Sequence, residues 1–277
     1  MRLFVFIVTL LLFLTQVTLS QAQIENKTTR SGEWARYEVY YNWGFIWMNA
    51  AEVIFSTTDF KYNDANALKL RCVGRTYDSY DWFFCVRDTF ESIVDPISLR
   101  PYKFKQRNYE GKRRTINDYT YNISDTTISM KGEIWEDDDE RTAKYNLQRK
   151  SSPNAVDVLT MVYKARNIDY SRYAVGEEIP ITMIINAESY DLYIRYLGKE
   201  RIKTKEGRIF DCIKIKPLLV DGTIFSGGED MTVWVTNDKS RVPVVIEAKV
   251  IIGSVKAMFV SGKGFQDNLS AEIKRKE

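Results

Sequence analysis

Between Ser79 and Ser92 the chain reads SYDWFFCVRDTFES, which sets Asp81, Arg87, Asp88 and Glu91 beside Cys85 and five aromatic rings. A retaining or inverting glycosidase needs two carboxyl groups at a set separation, one of them protonated. Asp81, Asp88 and Glu91 are therefore candidate acids for a carboxylate-dependent hydrolase, or for a sugar-binding site using Trp and Tyr as platforms. On a single strand the same residues also read as surface ion pairs, with Arg87 and Asp88 pointing to opposite faces. The chain contains no His. That removes Ser-His and Cys-His nucleophile pairs and every imidazole metal site.

The three cysteines, Cys72, Cys85 and Cys212, match no zinc spacing. If the chain reverses around Asp78-Ser79, Cys72 and Cys85 fall opposite one another at a non-hydrogen-bonded position. Side chains approach closely there, so a disulfide is predicted in an oxidising compartment, with Cys212 free and buried. Three reduced, packed thiols are the alternative. Arg107, Lys112, Arg113 and Arg114 surround Tyr109-Glu110-Gly111, and read either as an exposed hairpin or as a contact for an anion or lipid headgroup. The acidic run Glu136–Glu140 lacks the alternating ligands and central Gly of a calcium loop, so it reads as a solvated turn. Gly227-Gly228-Glu229-Asp230 has no strand–loop–helix setting and reads as a turn rather than a phosphate loop. No metal or cofactor is expected.

The elements that carry these residues follow from a period of two. In ARYEVYYNW, Ala35, Tyr37, Val39, Tyr41 and Trp43 share one face, with Arg36, Glu38, Tyr40 and Asn42 on the other, as in a half-buried strand. NAAEVIFST, ALKLRCVGRTY, YKFKQRNY, RRTINDYTYN, TTISMKGEIW and RTAKYNLQ continue the pattern. After residue 178 it resumes through IPITMIINA, DLYIRYLG, RIFDCIKIKPLL, MTVWVT, PVVIEAKVII and SVKAMFVSG. One amphipathic helix interrupts the strands at about 153–168, with Ser152 as N-cap and Pro153 in its first turn. Connections are too short for crossovers, so the sheet is antiparallel. So many strands must curl into an open barrel or clam, or form two β halves around the helix.

The chain opens with Arg2, an apolar run Leu3–Leu14 and small residues at Ser20 and Ala22. This is the pattern of a secretory leader over residues 1–22, cut after Ala22, with no Cys near the cut for lipid attachment. A single β-rich domain is expected over 23–277, without a later membrane-spanning segment, in the periplasm or outside the cell. The formal net charge of +3 is too small for a nucleic-acid footprint. Aromatics make up 13 % of the chain, most of them needed for a packed core. A minority are candidates to line a cavity for an apolar ligand between sheet and helix: Trp43, Phe45, Trp47, Trp82, Phe84 and Tyr163.

Several segments together are similar to the bacterial family called domain of unknown function 3108. They are GEWARYEVYYNWGFIWMNAAEVIF, YDWFFCVRDTFES, DVLTMVYKAR, KTKEGRIFDCIKIKP and MTVWVTNDKSRVPVVIEAKVIIGSVKAMF, spread in order over most of the chain. Cys85 and Thr160 depart from the pattern. The resemblance implies an exported, mostly antiparallel β protein of the cell envelope, and supplies no catalytic residues. The layout of curled sheet plus helix also resembles periplasmic lipoprotein carriers. The expected function is a non-enzymatic binder or carrier of an apolar or amphiphilic ligand or a lipidated partner, acting as a monomer. A carbohydrate-binding or hydrolytic protein is the alternative, and a structural or assembly factor the third.

Overall fold

The computed structural model describes residues 24–43, 46–82, 84–122, 124–137, 140–220, 227–250 and 253–274. The leader segment, Phe45 and the side chain of Trp43 lie outside what is described.

Among the described residues, fourteen strands form one antiparallel sheet. The first eight are β1 (Trp34–Trp43), β2 (Ile46–Tyr62), β3 (Ala65–Thr76), β4 (Val86–Val94), β5 (Pro101–Glu110), β6 (Arg113–Asn122), β7 (Thr127–Asp137) and β8 (Glu140–Lys150). The other six are β9 (Glu178–Ile185), β10 (Glu188–Lys203), β11 (Ile209–Pro217), β12 (Met231–Thr236), β13 (Pro243–Lys249) and β14 (Ser254–Lys263). Each strand pairs with the next in sequence, and β14 returns to pair with β1. The single break in this circle falls between β8 and β9. There the chain leaves the sheet to build α1 (Val158–Arg166), so the sheet is not closed into a barrel.

Both edges left by the break are protected. β8 reads ERTAKYNLQRK, and its alternating charges discourage pairing with another chain. β9 carries Pro180, a residue tolerated at edges, and its edge is capped by a parallel bridge from Val156 to Met183. That bridge explains why α1 begins later than the predicted 153. Val156 N–H donates to Thr182 O at 3.2 Å and Ile184 N–H donates to Val156 O at 2.9 Å, which hold residue 156 extended. The cap is Asp157 rather than Ser152.

Alternation puts Leu70, Ser92, Phe104, Tyr119 and Met130 on the inner face of β3 to β7, in register across the strands. Leu70, Phe104, Tyr119 and Met130 form one core cluster with Leu159 and Tyr163 of α1, and Ser92 is buried among them. Met161, on another side of the helix, packs with Ile179, Ile181 and Ile194 of β9 and β10. The helix is thus a wedge between the two halves of the curled sheet. Tyr37 of β1 and Phe55 of β2 reach Tyr163 of the helix through edge-to-face contacts, with centroids 5.7 and 6.5 Å apart. Burying rings of this size contributes about 1.5–3 kcal/mol each.

The proposed Cys72–Cys85 disulfide is overturned by the register. Asp78–Tyr80 is a short 3-10 turn, and the connection from Tyr77 to Cys85 is longer than a tight hairpin. Cys72 consequently faces Phe90, while the Cys85 carbonyl accepts from Gly111 N–H at 2.7 Å. All three cysteines are free. The strand foreseen across the whole of Ser79–Ser92 begins only at Val86. Among the described residues, no helix is long and apolar enough to cross a membrane.

Candidate functional site

The residues singled out from the sequence do not gather. Tyr163 is 1 % exposed inside the core, whereas Trp82 is 82 % exposed in the β3–β4 connection. Trp47 lies on the surface with Lys256 over its ring at 5.2 Å, and the exposed Phe84 covers Gly111. No cavity joins these aromatics to the helix among the cavities described. The basic cluster is also dispersed. Arg107 makes a two-pronged pair with Asp118 at 2.9 and 2.8 Å, Arg113 meets Glu136 at 3.5 Å, and Arg114 lies over Trp135 at 5.4 Å. Arg113 points to the face opposite Arg107 and Arg114, so the three guanidinium groups do not converge on one anion.

The candidate acids separate in the same way. Asp81 is clamped by Arg87 at 2.5 Å and accepts from Thr76 Oγ1 at 2.6 Å, which holds its carboxyl below the usual range. Glu91 is shared by Lys69 at 3.0 Å and Arg71 at 3.2 Å on the outer face. Asp88 alone is turned inward, where it is hydrogen-bonded to Glu110. Burial, then the nearby Glu110 charge, pushes the Asp88 carboxyl up to about 8, and burial raises Glu110 as well. Carboxyls in direct hydrogen bond are too close to admit the water or sugar carbon that glycosidases place between theirs, about 5–9.5 Å apart.

A cavity of about 1210 Å³ lies elsewhere. It opens where the end of α1 meets the start of β9, the β12–β13 turn and the segment Ile24–Thr28. This is the end of the sheet opposite the β1–β2 and β13–β14 turns. Ile24, Met161, Ile168, Tyr173, Ile179 and Ile181 supply its apolar wall. Its volume exceeds the roughly 300–1,000 Å³ usual for small-ligand pockets.

Two kinds of charge line this cleft. Arg166 is structural: it is 4 % exposed, chelates the buried Glu33 carboxylate, and donates to Ser240 O at 2.8 Å. It thereby ties helix, N-terminal segment and β12–β13 turn together. The carboxylates are likewise engaged. Glu178 pairs with Arg195 at 2.7 Å, and Asp169 with Arg172 at 3.0 Å. Glu177 accepts from Ala174 N–H at 2.8 Å, and Asp238 from Thr236, Ser240 and Arg241.

Lys164 is different. It is 9 % exposed, yet among the described residues its amine has no hydrogen-bond or ion-pair partner. Burial, reinforced by the Arg100 charge and opposed by that of Asp157, brings its pKa down to about 8. Arg241 donates through Nε to Asp238 O at 3.1 Å and stacks 5.7 Å from the Tyr170 centroid, while its buried Nη1 has no partner. Sequence reading missed both cations. Lys164 sits within DVLTMVYKAR at a helical position that looks solvent-facing, and its burial depends on segments distant in sequence. Among the described residues, no group of three or more His, Cys, Asp or Glu is placed to hold a metal ion.

The family described as "Protein of unknown function (DUF3108)" matches residues 36–260. No curated protein matches the sequence. Among solved structures, a β-barrel-like protein of domain of unknown function DUF1849 from Brucella abortus is similar in fold, with a TM-score of 0.51 at 7 % identity. The alignment covers 83 % of this chain and 96 % of that one. At that identity the likeness extends to the fold alone.

Proposed function

Starting from a chain that belongs to the DUF3108 family, we propose a non-enzymatic, exported cell-envelope protein that holds an apolar or amphiphilic ligand in the cleft beside α1. The observation that carries this reading is the cleft of about 1210 Å³, with an isoleucine-rich wall and cations at its border. Apolar area of this kind stabilises a bound acyl chain by about 25 cal/mol per Å² removed from water. The ligand site moves accordingly from the scattered aromatics to the helix end. Placement outside the cytoplasm rests on the leader pattern of residues 1–22, and a monomer is the expected state. A lipidated partner protein is accommodated by the same wall, since its acyl chain presents the same surface.

Native mass spectrometry on protein recovered from a bacterial periplasm tests the reading. A bound mass of lipid size, released on denaturation, is the expected result. Protein that is always empty, and stays empty after incubation with a total lipid extract, contradicts it. Glycan binding is the second reading, favoured by Trp82, whose ring is exposed beside the Asp81–Arg87 pair. A glycan-array signal abolished by Trp82→Ala supports that reading instead.

A further inference from the structure

Resting on the amphiphile reading, we propose that the cleft selects ligands whose apolar chain ends in an oxyanion, a carboxylate or a phosphate ester, and that Lys164 is its anchor. A lysine that is 91 % removed from solvent normally lies against a carboxylate, because an unpaired buried charge is costly. Lys164 has none within ion-pair distance among the described residues, and it lines a cleft large enough for a ligand. The carboxylates that share the lining are turned to their own donors, such as Arg195 for Glu178 and Arg172 for Asp169. They therefore neither neutralise Lys164 nor compete for it. Arg241 Nη1 is a second donor without a partner in the same lining. Unpaired donors beside an isoleucine wall are complementary to an anionic headgroup on a hydrocarbon tail. Among the described residues, no carboxylate lies within ion-pair distance of Lys164 to supply such an acceptor.

An oxyanion placed on Lys164 keeps the ammonium protonated and gains a charge-assisted hydrogen bond, whereas an alcohol gains only a neutral one. The difference is about tenfold in affinity. The experiment uses the leaderless protein and the uncharged fluorophore N-phenylnaphthylamine, displaced in turn by laurate, dodecyl phosphate, dodecanol and inorganic phosphate. Laurate or dodecyl phosphate is expected to displace the fluorophore at concentrations about tenfold below dodecanol. Inorganic phosphate should not displace it. In Lys164→Met the preference should vanish while fluorophore uptake persists, and Lys164→Arg should retain it. Equal displacement by dodecanol and laurate in the wild-type chain overturns the headgroup inference and leaves the amphiphile reading standing. Preference that survives Lys164→Met overturns Lys164 as anchor. Failure to take up the fluorophore or any of the amphiphiles overturns both.

Discussion

Lys164 and Asp88 show how single residues carry strain that the rest of the fold offsets. The Lys164 amine has an ordinary pKa of 10.5 when exposed and about 8 in the folded chain. Between those values the unfolded chain binds the proton that the folded chain has released, so stability rises with pH across that window. Below it the full penalty applies. Lys164→Met should therefore raise unfolding stability at pH 7 by about 2–3 kcal/mol and abolish the rise between pH 8 and 10, as measured by urea denaturation at several pH values. Asp88 behaves oppositely. Its folded pKa, about 8 against an ordinary 3.8, means that the folded chain keeps a proton the unfolded chain loses. The stability it contributes is complete at low pH and fades as pH rises through 8. Asp88→Asn mimics the protonated acid, so its denaturation midpoint should vary less between pH 4 and 8 than that of the wild type. An unchanged pH profile would show that the proton is not held there. Neither residue was identifiable as buried from sequence. Asp88 was read as one of several surface acids because its inward turn depends on where β4 starts.

Elements were more legible than residues. The strands were readable because alternation of side chains and inner-face burial are the same fact seen twice. The exceptions are instructive. β4 begins at Val86 because Asp81 accepts from both Thr76 and Arg87 and so fixes a turn, an arrangement that strand periodicity does not encode. The late start of α1 has a similar origin. Ser152-Pro153 has good helix-start chemistry, but extending residue 156 against β9 covers an edge that would otherwise stay bare. Asp157 then caps the helix, accepting from Thr160 N–H and Thr160 Oγ1, each at 2.8 Å, and from Ser92 Oγ at 2.7 Å. Both Asp157 and Ser92 are fully buried. Asp157→Ala should cost about 2–4 kcal/mol, combining a lost cap with an orphaned serine hydroxyl. Asp157→Asn, which still accepts the backbone bond, should cost less. Equal losses for the two variants, read by thermal or urea unfolding, would contradict this account of the helix start.

At the scale of the whole molecule, one topological fact organises the rest. Fourteen strands run in chain order, the last pairs with the first, and the sheet opens only between β8 and β9. A helix that leaves and re-enters through that opening must lie against both halves. Its two sides accordingly pack into separate cores. Antiparallel order, a curled sheet and a single helix were all legible, since short connections forbid crossovers and so many strands cannot stay flat. The position of the cleft was not. It is built by segments far apart in sequence, Ile24–Thr28, the end of α1, the start of β9 and the β12–β13 turn, held together by Arg166 and Glu33. Long-range assembly of this kind leaves no local periodicity, and the aromatic-rich hairpins drew attention instead.

Photo-crosslinking with a diazirine-bearing fatty acid, followed by peptide mapping, tests most directly that the helix end takes an amphiphile. Label is expected on peptides covering residues 161–181 and 237–241, competed by unlabelled fatty acid. Label confined to the hairpins around Trp47 and Trp82, or spread over the surface without competition, would contradict it.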